Sequence, residues 1–163
     1  AVQAAAVGEI GLEGGGAGEG ELLLRQLELA ASLGVPAIVH TPRARKREIF
    51  EEFERLLRGH PLDLSRVVLD HLTPDLVGRA LALGAVAGLT VQPGKLTFDE
   101  VGRVFAEHGA ARLVVNTDLA HVASDPLTLP RLARHLVRGG AAPRDVGAIL
   151  GGNAAALFGV PMS

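Results

Sequence analysis

Four side chains in this sequence sit where chemistry is expected. Glu9 lies in AVGEIGLE, His40 closes PAIVH, His71 closes RVVLDH and Asp118 closes RLVVNTD. Each follows an apolar run of the kind that forms a buried strand. A carboxylate at the mouth of a buried strand is costly unless something pairs with it. Glutamate, aspartate and neutral imidazole are together the donors that a divalent cation such as Zn, Mn, Ni or Mg takes. The same 31-residue step leads from Glu9 to His40 and from His40 to His71, one strand-plus-helix unit each, which puts them on neighbouring strands. Singly, each has a plain reading. A lone histidine at a strand end is more often solvated, an aspartate after a strand usually caps a helix, and Glu9 can pair with Arg43. Four such residues at four strand ends, none in mid-helix, are hard to obtain by accident.

The elements that must position them alternate along the chain. Strands are predicted over Val2–Val7, Ala37–Val39, Val67–Leu69, Ala85–Val91 and Leu113–Asn116. Helices are predicted over Glu21–Leu33, Arg45–Arg58, Pro74–Leu83, Thr97–His108, Leu127–Arg138 and Arg144–Phe158, the last broken at Gly151–Gly152. Gly34 and Gly59 stop the first two, Thr73 and Pro74 open the third, and Thr97 with Glu100 forms a capping-box pattern. None of the strands alternates cleanly, so the fold class is α/β with a parallel sheet buried on both faces. An open doubly wound sheet and a (β/α)8 barrel both satisfy this pattern. In either, all the strand ends meet at one rim, where active sites form. The cluster GLEGGGAGEG matches no nucleotide-binding motif and reads as a mobile loop over that rim.

Other residues flank the four. Gln92 and Lys95 follow the fourth strand, and Arg43 and Lys46 follow the second. These cations can bind an anionic substrate, although RARKR also reads as a solvated helix start. Thr90 and Gln92 share a side and line the pocket, and Asn116 shares a side with Asp118 and can orient it. His121 in TDLAH is either an extra ligand or proton donor, or a solvated loop residue. By strand alternation Asp70 points away from His71 and is structural. His60, His108 and His135 lie near helix ends as surface residues.

Composition narrows the classes. The chain has 163 residues, no Cys, no Trp or Tyr, five Phe, and a net charge of −2. That is enough for one domain with an aliphatic core. Disulfides and thiolate metal sites are excluded, which fits a cytoplasmic protein. No whole-molecule field attracts nucleic acid, and no apolar run reaches the ~18 residues of a membrane span, so no membrane partner is expected. No secretory leader pattern occurs in the sequence.

The stretches AVGEIGLE, QLELAASLGVPAIVHTPRARK, VVLDHLTP, AGLTVQPGKLTFDEV, VVNTDLA and GGNAAALFG, in this order, resemble the TatD-related metal-dependent hydrolases of the amidohydrolase superfamily. The resemblance covers essentially the whole chain and implies the (β/α)8 TIM-barrel fold. It further implies a divalent-metal-dependent enzyme in which Glu9 bridges two ions, His40 and His71 hold one, and Asp118 binds the other and serves as the catalytic proton acceptor. Arg43, Lys95, Gln92, Asn116 and His121 then face the substrate, a small-molecule or nucleic-acid phosphodiester or related ester. Family members also carry a His-x-His pair on the first barrel strand, and this sequence has none. The five predicted strands therefore correspond to the fourth to eighth of the barrel, an incomplete barrel in a single domain. A missing N-terminal segment or a homo-oligomer is expected at the open sheet edges, and the isolated chain is expected to turn over weakly or not at all. The alternative is a metal-binding but inactive fragment, or a non-catalytic scaffold that associates through those edges.

Overall fold

Five short apolar runs, each followed by a helix, build the framework of the computed structural model, which describes residues 4–119 and 125–161. In chain order they are β1 (Val7–Gly11), α1 (Ala17–Leu33), β2 (Ala37–His40), α2 (Lys46–Arg58), β3 (Val67–Asp70), α3 (Pro74–Ala82), β4 (Val86–Thr90), α4 (Phe98–His108) and β5 (Leu113–Asn116). After these come α5 (Thr128–Arg138), α6 (Pro143–Gly147), a π-helical turn (Ala148–Gly152) and α7 (Asn153–Phe158). All strand pairs are parallel and the spatial order is β1-β2-β3-β4-β5. A doubly wound sheet reverses its order at a switch point. This one never does, so it is the wall of a barrel of the (β/α)8 type, with five strands present.

Strand alternation sorts the side chains onto two faces. Val67, Leu69, Ala87, Leu89, Leu113 and Val115 face outward and join the main core with Leu23, Phe50, Phe53, Val77 and Val101 from the helices. Val68, Val86 and Val114 face inward, where Ala154, Leu157 and Phe158 of α7 cover them. Asn153 pins that last helix by donating to the carbonyls of Ala110 and Leu113, both at 2.7 Å. Further along the same inward face come Asp70, Gly88, Thr90 and Asn116.

Three departures from the sequence expectation go beyond a single residue at an element's end. The first strand is Val7–Gly11 rather than Val2–Val7, so Glu9 lies within it; residues 1–3 lie outside the described residues. The partner strand decides this, because among the described residues Val7 is the first to pair with β2, donating to Pro36 O at 2.9 Å. The glycine cluster is not a long loop. Helix α1 begins at Ala17 rather than Glu21, and the Glu19 carboxylate accepts from the N–H groups of Gly14 and Gly15 at 3.0 and 2.8 Å. The pair Gly151–Gly152 falls in a π-helical turn that keeps the helix continuous instead of breaking it. The capping box at Thr97 and Glu100 forms as expected, while Thr73 precedes α3 with no side-chain cap.

Candidate metal centre

Glu9, His40 and His71 converge. Each offers one ligand atom, and these atoms lie within 4.8 Å of one another on neighbouring strands β1, β2 and the end of β3. His71 Nε2 is 3.2 Å from Glu9 Oε1, and the two imidazoles meet edge to face with centroids 5.4 Å apart. One carboxylate and two imidazoles form the donor set that Zn, Mn or Ni takes, so the residues present fit a divalent cation.

His71 is shaped for this position. Its φ of 60° is left-handed, which ends the strand's alternation and turns its side chain back toward the inner face. Burial, reinforced by the Lys95 cation, lowers its pKa against the opposing pull of Asp70 and Glu9. A neutral imidazole at neutral pH is the form that can ligate. His40 Nε2 lies 2.7 Å from Glu13 Oε1. An Nε2–H donating there would leave Nδ1 with the lone pair, the arrangement by which an outer carboxylate orients a histidine for ligation.

Asp118 stands apart from the three. Its Oδ2 accepts from Lys95 Nζ and Gln92 Nε2, both at 2.9 Å, and Lys95 Nζ is also 3.0 Å from His71 Nδ1. Burial opposes ionisation of Asp118, but these two donors outweigh it and hold its carboxyl below the usual range. Asp118, like His71, has a positive φ, of 45°. A pocket of about 680 Å³ is lined by Glu9, His40, Arg43, His71, Lys95 and Asp118, among others. His121 lies outside the described residues.

Two expectations change. Asn116 does not orient Asp118; its Nδ2 donates to both carboxylate oxygens of Asp70, at 2.9 Å each. Asp70 does not point away from the site. It is buried on the inner face, and its Oδ1 accepts from the His71 N–H at 2.7 Å. The left-handed turn at His71 defeats the alternation argument, since both neighbours then face inward. Glu13 and Asp70 are thus the site residues that sequence reasoning missed. The second carboxylate of GEIGLE was a visible signal for Glu13, whereas nothing local signalled Asp70. Away from the site, His60, His108 and His135 each pair with an acid: Glu28 at 3.1 Å, Glu107 at 3.7 Å and Asp99 at 3.1 Å.

Lys46 is a clamp rather than a substrate contact. Its ammonium donates to Thr41 O, Thr41 Oγ1 and His71 O at 2.9, 2.8 and 2.7 Å, tying the end of β2 to the turn that carries His71. Burial first, and then the neighbouring Lys95 cation, push it down to about 8 from 10.5. Between those values the unfolded chain binds more protons than the folded one, so this group makes stability rise with pH. Urea titrations across that interval should show the rise in the wild type and its loss in Lys46→Met.

Comparison with known proteins follows the same lines. No protein-family model matches the chain. A curated relative, an uncharacterized metal-dependent hydrolase of Methanocaldococcus jannaschii, is 35% identical over 130 residues, covering 77% of this chain and 50% of the relative. The chain therefore spans about half the length of the curated relative that it matches. Among solved structures, the TatD-like protein of Archaeoglobus fulgidus superposes with a TM-score of 0.74 at 28% identity, over 96% of this chain and 60% of that one. A TatD homolog of Escherichia coli (TM-score 0.65, 24% identity, 96% and 64% coverage) shares the fold. So does a beta-aspartyl dipeptidase of Fervidobacterium islandicum (TM-score 0.71, 13% identity, 94% and 48% coverage).

Proposed function

The chain is a relative of the TatD-like metal-dependent hydrolases, and on that footing we propose that it carries the metal centre of a hydrolase acting on phosphodiester or related ester bonds. The convergence of Glu9, His40 and His71 within 4.8 Å carries this reading. These three would hold a divalent ion, and Asp118, across the same pocket, would be the protein ligand of a second one. When bound, such ions lower the pKa of water and polarise the scissile oxygen. The chain's own groups supply the rest. Asp118, held ionised by Lys95 and Gln92, accepts the proton of the attacking water. Lys95 and Arg43, both on the pocket wall, pair with the anionic oxygens of the substrate and hold it in line.

Titration of the purified chain with Zn, Mn or Ni, followed calorimetrically, tests the centre. Binding that disappears in Glu9→Gln is expected, and a chain that takes up none of these ions sinks the reading. Turnover of a chromogenic phosphodiester by these residues alone should be weak or absent. Robust metal-dependent hydrolysis would show that the site needs nothing further.

The second reading is a metal-binding but inactive piece that works by association. Among the described residues β1 and β5 pair on one side only, which leaves two open edges. Beside β1, helix α1 exposes Leu22, Leu29 and Leu33 at helical spacing. Further barrel strands or a second copy of this chain would cover both. Sedimentation at rising protein concentration distinguishes a monomer from such an assembly. No helix among the described residues is long and apolar enough to cross a membrane. A cytoplasmic setting is part of this proposal.

A further inference from the structure

The inward polar residues of β3, β4 and β5 form a chain of hydrogen bonds that the metal-centre reading leaves unused. It runs from Asp70 through Asn116 and Thr90 to His71. Thr90 Oγ1 is 2.9 Å from Asn116 Oδ1 and 2.7 Å from His71 Nδ1. Asp70 and Thr90 are 6% and 1% exposed, so water does not substitute for these contacts. The space that Asp70 occupies exists only because residue 88 is glycine; a Cβ added there would lie 2.4 Å from Asp70 Oδ1.

The direction of every proton in this chain follows from donor chemistry. A buried carboxylate only accepts, so Asn116 must turn its amide nitrogen toward Asp70, with both Asp70 oxygens 2.9 Å away. Its carbonyl oxygen then faces Thr90 and can only accept. The single hydroxyl proton of Thr90 goes to that oxygen, or to Asp70 Oδ1 at 3.4 Å. Either way, no proton of Thr90 remains for His71. The 2.7 Å contact between Thr90 Oγ1 and His71 Nδ1 needs a proton between them, and only the imidazole can supply it. Lys95 Nζ is farther from Nδ1, at 3.0 Å, and has Asp118 Oδ2 to donate to.

We propose that Asp70, acting through Asn116 and Thr90, fixes the His71 proton on Nδ1 and so delivers Nε2 as a bare lone pair to the metal centre. Asp70, Asn116 and Thr90 are positioning residues; none of them belongs to the ligand cluster of Glu9, His40 and His71. The proposal rests on the metal-centre reading for its purpose, but not for its test. Bare Nε2 stands 3.2 Å from the Glu9 carboxylate with no proton between them. Two electron-pair donors facing each other at that distance are prepared for a cation and repel in its absence. Without the relay, the proton can settle on Nε2 and bond to Glu9, and a cation must first displace it.

Nitrogen-15 NMR of the metal-free protein, at about pH 8 where imidazole is neutral, reads the tautomer directly. The expected result is His71 protonated on Nδ1 in the wild type and in Thr90→Ser. In Thr90→Val and Asp70→Asn the constraint is gone, and the proton should move wholly or partly to Nε2. Divalent-ion affinity should fall about 10- to 100-fold in Thr90→Val and recover in Thr90→Ser, as outer-sphere losses do. A wild-type His71 protonated on Nε2 overturns the proposal, and so does a tautomer unchanged in Thr90→Val. If Asp70→Asn does not fold, the wild-type and Thr90 measurements still decide it. Failure of the metal-centre reading would appear differently, as an Nδ1–H tautomer in a chain that binds no ion.

Discussion

Replacing His71 by asparagine is expected to weaken divalent-ion binding by more than about 100-fold while leaving the fold in place. Loss of an outer-sphere partner alone costs up to that factor, and here one of three protein donors disappears. The choice of asparagine follows from the backbone. His71 has φ of 60°, a region that asparagine tolerates better than alanine does. The Lys46 clamp on the His71 carbonyl and the Asp70 bond to its N–H are both main-chain contacts and survive the change. Calorimetry with Zn or Mn measures the loss, and a thermal melt checks that the fold is kept. His135→Asn, at a histidine paired with Asp99 far along the chain, should leave binding unchanged. Wild-type affinity in His71→Asn would remove His71 from the centre.

Gly88→Ala is expected to destabilise the protein by about 2–3 kcal/mol, the cost of forcing atoms into a packed core. The added methyl would lie 2.4 Å from Asp70 Oδ1, 2.8 Å from Asp70 Cα and 2.9 Å from Asp70 Cγ. The carboxylate could swing aside only by leaving Asn116. The Cα belongs to β3, which pairs with β4 through Val68 and Leu69, so the backbone yields only by disturbing the sheet. Ion affinity should fall along with stability, because the displaced carboxylate no longer holds the His71 N–H. Gly102→Ala in α4 is the control. There the nearest contact is Leu136 Cδ2 at 3.6 Å, an ordinary van der Waals distance, and alanine favours the helix. Denaturant curves showing no loss in Gly88→Ala would mean that Asp70 does not need the space.

Much of the framework was readable in advance because it depends on local pattern. The runs at Ala37–Val39, Val67–Leu69 and Leu113–Asn116 became strands nearly as bounded, because β-branched and aliphatic residues between turn signals have few other options. The amphipathic stretch KREIFEEFERLLR became α2, with Ile49, Phe53 and Leu57 buried as its period requires. The boundaries that moved did so for tertiary reasons. Val7–Gly11 is a strand because β2 lies beside it, and Ala17–Gly20 is helical because Gly20 packs against Leu56 and Glu19 caps the preceding loop.

The site divides along a similar line. Residue type and the repeat of one βα unit were enough to bring Glu9, His40 and His71 to one rim, since every parallel strand delivers its end to the same side. Which partners those residues take depends on distances across strands, and no sequence spacing encodes these. Asp118 is held by Lys95 and Gln92, Lys46 is spent on main-chain oxygens, and Asn116 belongs to Asp70. One backbone angle decided the most. A strand residue alternates faces only while φ stays extended, and the left-handed turn at His71 put Asp70 and His71 on the same side. The sequence by itself determined which donors reach the rim, because chain direction and period are local. The tertiary structure alone decided how they are paired and protonated, because hydrogen bonds form between neighbours in space.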